Sequence, residues 1–378
     1  MINEKVWVEI SEQNLIDNLL QFRNRIGETV KLAATVKSNA YGHGFCEVCS
    51  VAEKYVDLFA VDSIDEALKL RERGSEKPIL ILGYTLLSRL EQTVENGFHQ
   101  VVANLETLRD LGKISARLQK KAFVHLKIET GTSRQGIFVH DLDKYVEIFR
   151  QSSLLELAGV STHFANIEDT TDHSYAENQL KRYKEAVAHL KENGFENFVK
   201  HTACSAAAVL FSETHFDLVR VGISMYGLWS SKETKVTATE KNIEMKLNPI
   251  LTWKTRIAQI KNLPAGTPVS YGCTEKVFID SKIAILPIGY WDGYDRGLSS
   301  VGNVLIRGKR CKVLGRICMN MTIVDVTHLA EVELEDEVVL LGRQENEEIT
   351  AEELAGKMNT INYEVVTRIN PLVKRFVR

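Results

Sequence analysis

The sequence predicts an α/β protein: an N-terminal (β/α)8 barrel of the TIM type over residues 1–235, then a mainly β C-terminal domain over 236–378. Three observations carry this reading. Short β-prone apolar runs alternate with longer stretches of helical period through the first part of the chain. The alternation occurs eight times, enough units to close a barrel. The rhythm then gives way to β runs punctuated by Gly and Pro. An open doubly wound sheet is the rival, but it usually has fewer strands and often a G-x-G-x-x-G phosphate turn, which this sequence lacks.

The eight runs are Leu32–Val36, Leu58–Val61, Ile79–Leu82, Gln100–Ala103, Phe123–Ile128, Leu157–Thr162, Phe198–His201 and Leu218–Val221. Helical stretches between them include Ile64–Arg73, Leu86–Asn96, Leu105–Gln119 and Tyr175–Asn193. In the last, Ala176, Leu180, Tyr183, Val187 and Leu190 fall on one face. Gly74, Gly97 and Gly194 stand where left-handed helix caps are wanted. The polar stretch Ser230–Asn242 reads as an exposed connection. Beyond it come β runs at Ile250–Ile260, Ile283–Pro287, Val304–Ile306, Cys311–Val313, Thr322–Val326 and Val338–Leu341, with one helix at Ala351–Met358. The acidic patch Glu331–Glu337 and the basic tail Lys374–Arg378 read as solvated surface.

Composition narrows the function. Forty-seven basic against fifty acidic residues leave a formal charge of −3, with no basic excess to hold a nucleic-acid backbone. No run of 18 apolar residues offers a membrane span. The first residues, MINEKVWVEI, lack the layout of a secretory signal, so a cytoplasmic protein is expected. Six scattered cysteines are too sparse for a disulfide scaffold. Cys46 and Cys49 form a lone C-x-x-C, better read as two half-buried helical thiols than as a redox pair or half a zinc ribbon.

In a barrel of this kind, chemistry gathers at the C-terminal ends of the strands. The first run ends in Lys37-Ser38-Asn39-Ala40-Tyr41-Gly42-His43-Gly44, and the fifth carries Lys127 and runs into Glu129–Arg134. The sixth ends at His163, the seventh at His201 ahead of Ser205, and the eighth carries Arg220 ahead of Gly222. Together they form a cationic, donor-rich rim suited to an anionic ligand. Lys37 ends the apolar run LAATV, where desolvation would favour a neutral, nucleophilic amine; a lysine snorkelling from a strand end would look the same. Lys127 sits inside an apolar strand beside a second cation, Arg134, so something anionic must pair with them. Glu129, two residues along the strand, is one candidate. His163 and His201, taken singly, are more often satisfied core residues than catalysts. They are not a metal site, because the spacing is wrong and no carboxylate cluster accompanies them. Ser205 opens a helical stretch and suits either a phosphate or a simple N-cap.

The run VKSNAYGHG, Val36–Gly44, resembles the pyridoxal 5′-phosphate (PLP) lysine motif of the alanine racemase family. So, in family order, do HLKIETGTSRQG (125–136), STHFAN (161–166), HTACSAA (201–207), FDLVRVGISMYGL (216–228), PVSYG (268–272), GYWDGYDR (289–296), GRICMNM (315–321) and TINYE (360–364). The resemblance covers nearly the whole chain, including the division into barrel and β domain. It implies that Lys37 is the Schiff-base lysine and the base for one face of the substrate α-carbon. Tyr271 is similar to the opposite base, which in the family comes from the partner subunit of a head-to-tail homodimer, so each active site is shared. A racemase needs two bases because the proton leaves one face and returns to the other. His163 resembles the histidine that hydrogen-bonds this tyrosine, and His201 the one behind the cofactor arginine, Arg220. An arginine donates to the pyridine nitrogen without surrendering a proton, so the ring is a weaker electron sink and side reactions are suppressed. Tyr41, Ser205, Gly222, Ile223 and Tyr363 resemble the phosphate holders. Arg134 and Met319 resemble residues at the substrate carboxylate, Met319 from the partner chain. Lys127 aligns with a lysine that is carbamylated in many members, and a carbamate would be the missing anion beside Arg134.

The resemblance therefore implies a PLP-dependent racemase interconverting L- and D-alanine for peptidoglycan, with Tyr363 narrowing the side-chain pocket. The loop 129–134 departs from the usual DTGMGR-like stretch, Asn320 and Met321 stand where an Asp-Gln pair is common, and Cys204 replaces a frequent Asn. These departures leave a serine or broader racemase as the alternative, since a small pocket rejects one hydroxyl poorly. A decarboxylase on the same plan would need a different substrate end, which Tyr271 argues against. A non-catalytic PLP-binding protein would resemble the barrel alone.

Overall fold

In the computed structural model, which describes residues 2–378, all eight apolar runs are parallel strands of one sheet. They are β2 (Lys31–Thr35), β3 (Leu58–Val61), β4 (Ile79–Ile81), β5 (His99–Val102), β6 (Ala122–Lys127), β7 (Leu155–Ser161), β8 (Val199–His201) and β9 (Leu218–Val221), after an earlier strand β1 (Val6–Ile10). Their order around the sheet is β9-β2-β3-β4-β5-β6-β7-β8. Between β8 and β9 the backbone bonds Asp217 N–H to Lys200 O (3.1 Å) and Arg220 N–H to Ala203 O (3.0 Å) nearly close the barrel. Strands buried on both faces read as near-continuous apolar runs, which is why the sequence displays them. Ala33, Leu58, Ala60, Leu80, Val101 and Leu218 pack together as one core cluster.

The helices follow the sequence closely. Ile64–Glu72 begins in a capping box in which the Ser63 hydroxyl accepts the Glu66 N–H and the Glu66 carboxylate accepts the Ser63 N–H. Ser174–Glu192 buries Ala176, Leu180, Tyr183 and Leu190 as the spacing predicts, with Ala186 rather than Val187 completing the face. Cys46 and Cys49 lie on the helix Phe45–Ala52, and neither is in a disulfide. The stretch expected to be a connection contains a helix, Lys232–Glu240, capped by the Ser231 hydroxyl. It buries only Thr234, Thr237 and Ala238, too weak an apolar stripe to stand out in sequence.

Contacts divide the chain into two compact units. The barrel unit comprises residues 15–38 and 49–248. The other comprises residues 2–14, 39–48 and 249–378. In this second unit β1 pairs antiparallel with Leu251–Arg256 and parallel with Lys374–Val377. A three-stranded antiparallel sheet is formed by Gln259–Leu263, Ser281–Leu286 and Thr322–Asp325. The basic tail matches the expected solvated surface at Lys374 and Arg378, which are exposed, but not at Arg375. Lys374–Val377 is a paired strand, and Arg375 is a half-buried clamp whose Nη2 donates to Gly42 O (2.9 Å) and Ile369 O (3.2 Å). Among the described residues no helix is long and apolar enough to cross a membrane.

Candidate active site

Lys37 stands where β2 ends, and the chain then makes an unusual turn. Ser38, Asn39, Ala40 and Tyr41 all have φ between +52° and +55°, one turn of left-handed helix. Each non-glycine residue held this way costs about 1–2 kcal/mol. Local bonds repay it: Asn39 Oδ1 accepts the Phe45 N–H (2.9 Å), and His43 Nδ1 lies 3.1 Å and 3.0 Å from the Ala40 and Tyr41 carbonyls. Burial holds the His43 pKa down at about 3, so its ring is neutral and donates. Strain concentrated beside one lysine is expected of a functional site. In the barrel unit the Ser38 N–H donates to Glu66 Oε1 (2.7 Å), which anchors the strand end. The apolar seat expected for Lys37 is not found. Its side chain is 36% exposed and Nζ lies 3.8 Å from Asp62 Oδ1, because β2 delivers it to the open rim.

Lys127 ends β6 half-buried. Burial, then Arg134, Arg220 and Lys37, lower its pKa to about 8, with Glu129 opposing weakly through space. Glu129 is not the missing counter-ion. Its Oε1 accepts the Gly131 (2.6 Å) and Ser133 (3.1 Å) N–H groups, so the loop consumes the carboxylate. Among the described residues neither the Lys127 amine nor the Arg134 guanidinium forms a hydrogen bond or ion pair. His163 is surrounded by cations. Burial first, then Arg220, Arg134, Lys127 and Lys37, hold its pKa at about 3. This rim therefore carries a surplus of positive charge.

Arg220 on β9 is buried and almost fully engaged. Nη1 donates to His201 Nδ1 (2.6 Å) and His201 O (3.0 Å), and Nη2 to Thr162 O (3.0 Å) and Thr202 O (3.1 Å). A guanidinium has five N–H donors, so only Nε–H has no partner among the described residues. Ser205 is not an N-cap: Cys204 holds that position, and Ser205 Oγ accepts the Gly222 N–H (2.9 Å). The bond ties the ends of β8 and β9 together and leaves the hydroxyl proton to donate. The Cys204 thiol is pushed up to about 11 by burial and stays inert.

The remaining candidates lie in the second unit. Tyr41 and Tyr363 approach with ring centroids 6.1 Å apart. Tyr271 is 72% exposed, following Ser270 at φ +62°. Met319, Met321, Phe278, Ile279 and Trp291 are exposed as well. Ser270 Oγ donates to Arg316 O (2.5 Å), and the Trp291 N–H to Met319 O (3.0 Å), so the Tyr271 loop, Arg316–Met319 and Trp291 are linked. Sequence reasoning missed Arg375, Glu66, His99 and His125. Only His125 left a signal, standing two residues before Lys127 on the same strand face.

A barrel with a half-exposed lysine and a cation-rich rim at its strand ends suits an anionic small molecule. Comparison with known proteins narrows the class. Residues 10–230 match the alanine racemase N-terminal domain and residues 250–377 the alanine racemase C-terminal domain. The alanine racemase of Leptospira interrogans (serovar copenhageni) is 39% identical over 375 residues, covering 98% of this chain and 95% of its own. That of Methanococcus maripaludis is 37% identical, covering 99% of each. Among solved structures, the alanine racemase of Clostridium difficile 630 superposes with a TM-score of 0.93 at 34% identity, covering 100% of this chain and 97% of its own. The Bacillus anthracis enzyme with bound L-Ala-P gives 0.92 at 33%, covering 100% and 96%. The chain belongs to the alanine racemase family, and it is an isomerase acting on amino acids.

Proposed function

We propose that this enzyme racemises alanine with PLP, each active site being shared between two subunits, and that it supplies D-alanine for peptidoglycan in the cytoplasm. The observation that carries the cofactor reading is the spare Nε–H of buried Arg220, a donor that fits an unprotonated ring nitrogen. The cationic rim fits the phosphate and the substrate carboxylate. PLP supplies an electron sink that acidifies the substrate α-carbon.

Lys37 carries the cofactor and moves a proton at its Nζ on one face. Tyr271 of the partner subunit exchanges a proton through its hydroxyl on the other. His163, neutral throughout the working range, orients that tyrosine. Tyr41, Ser205, Gly222, Ile223 and Tyr363 hold the phosphate, and Arg134 with Met319 of the partner subunit orients the carboxylate. The homodimer is supported by the exposed group around Tyr271, whose apolar members would otherwise face water.

Lys127 would gain a carbamate: its neutral amine adds CO2 and releases a proton, giving the anion that Arg134 lacks. With a pKa of about 8, the amine is mostly neutral at pH 9 and only about one part in a hundred neutral at pH 6. A carbamate signal from ¹³C-bicarbonate is therefore expected at pH 8–9, fading on acidification and absent in Lys127→Ala. A signal that strengthens with acid would exclude Lys127 as its origin.

The function is tested by chiral chromatography of L-alanine and L-serine incubated in parallel with the protein and PLP. Fast D-alanine with little D-serine supports the reading. Comparable D-serine would indicate a serine or broader racemase and point to loop 129–134 and Asn320. No D-product with PLP bound would indicate a binding protein.

A further inference from the structure

Behind Arg220 a file of rings crosses the barrel. His201 Nε2 lies 2.8 Å from His125 Nδ1, and His125 Nε2 lies 2.8 Å from His99 Nδ1. The rings meet edge to face, with centroids 5.0 Å and 5.1 Å apart, and His99 stacks on Phe123 at 4.9 Å. His201 and His125 are buried, whereas His99 at the start of β5 is partly exposed.

The polarity of this file follows from its inner end. Arginine only donates, so His201 Nδ1 must accept, and a neutral His201 then carries its proton on Nε2. That N–H donates to His125 Nδ1, which places the second proton on His125 Nε2. The same step leaves His99 protonated on Nε2. Reversing any ring would set two N–H groups head to head. A lone His201 would leave its own N–H orphaned inside the barrel, where a buried donor needs a partner. Three rings pass that surplus donor outward to a partly exposed residue.

The backbone makes room for the passage. His125 on β6 reaches His201 on β8 across the intervening strand β7, where the pairing register slips between Val124 and His125. Gly159 lies opposite, and a Cβ there would stand 2.2 Å from His125 Nδ1. The residues that touch the file electrostatically are Arg220, Lys31 and Glu156; burial keeps all three rings well below the usual histidine range, His99 at about 4.

We propose that His99, His125 and His201 form a tautomer-fixing chain that holds Arg220 as an obligate donor toward the cofactor ring, with His99 and His125 as positioning residues acting through His201. The assignment to the cofactor rests on the function proposed above; the ring polarity does not.

The test is ¹⁵N NMR of histidine-labelled protein, recorded before and after PLP is added, with alanine kinetics on the same samples. In the wild type all three rings should carry the proton on Nε2 alone. His99→Phe keeps the stack on Phe123 but accepts nothing, so mixed tautomers at His125 and His201 are expected. With them, kcat should fall about tenfold while KM stays within about twofold. His99→Gln, whose amide oxygen accepts the His125 N–H, should restore both. A proton on His201 Nδ1 in the wild type overturns the proposal even if no variant folds, and so does an unchanged kcat in His99→Phe. Failure to bind PLP, read from a missing visible absorption band, counts against the proposed function instead.

Discussion

Replacing Lys37 with alanine is expected to lower racemisation of alanine by at least about 10⁴-fold, because under the proposed function one residue carries the cofactor and serves as a base. Chiral chromatography checks the rate. Absorption spectroscopy checks the linkage, since PLP added to the variant should wash out on dialysis. The substitution removes a side chain at the open rim whose charged contact is one ion pair at 3.8 Å with a 57%-exposed Asp62. Such a pair contributes about 0–1 kcal/mol, so the variant should stay folded. Near-wild-type racemisation by a folded Lys37→Ala protein would remove this lysine from the chemistry.

Tyr271→Phe should lower racemisation by about 10²–10⁴-fold while leaving half of the chemistry in place. The ring is 72% exposed in its own chain, and removing a surface hydroxyl usually shifts stability by no more than about 0.5 kcal/mol. The informative measurement is in D₂O. With one base left, the α-proton of one enantiomer should still exchange with solvent, whereas the other enantiomer should neither exchange nor form. Equal loss of exchange from both enantiomers would mean that the tyrosine does not serve a single face. Full racemisation by the variant would end the two-base reading.

A stability prediction follows from the barrel wall. Gly159→Ala places a methyl group against the buried His125 ring, and overpacking of this kind costs about 1–3 kcal/mol. Thermal denaturation should show the loss, and His125→Ala combined with it should recover part. A lone Gly159→Ala that melts with the wild type would mean that β7 yields freely.

Much of the architecture was legible because its signals are local. Buried parallel strands are short apolar runs, helices repeat every three to four residues, and both are bounded by caps and turns. Leu58–Val61 and Leu218–Val221 match their expected bounds, and the helix Ala351–Met358 does too. Rim residues were legible for a related reason: a polar side chain just after an apolar strand points to the catalytic end of such a barrel. What escaped was non-local. Nothing in VWVEI says that its partners are Leu251–Arg256 and Lys374–Val377, far along the chain. Arg375 looked like a solvated tail because its carbonyl partners, Gly42 and Ile369 among them, come from other parts of the unit.

The sequence by itself determined the strand and helix inventory, the family, and the residue types at the strand ends, since each is written in periodicity or in contiguous motifs. Only the tertiary structure decided the charge states and partners. Lys127 lost Glu129 as a counter-ion to the backbone of loop 130–134, and Lys37 reached the rim instead of an apolar seat. Arg220 came to rest with a single spare donor, backed by three histidines drawn from β5, β6 and β8. Hydrogen-bond direction and burial depend on atoms far apart in the chain, and only folding brings those atoms within 3 Å of each other.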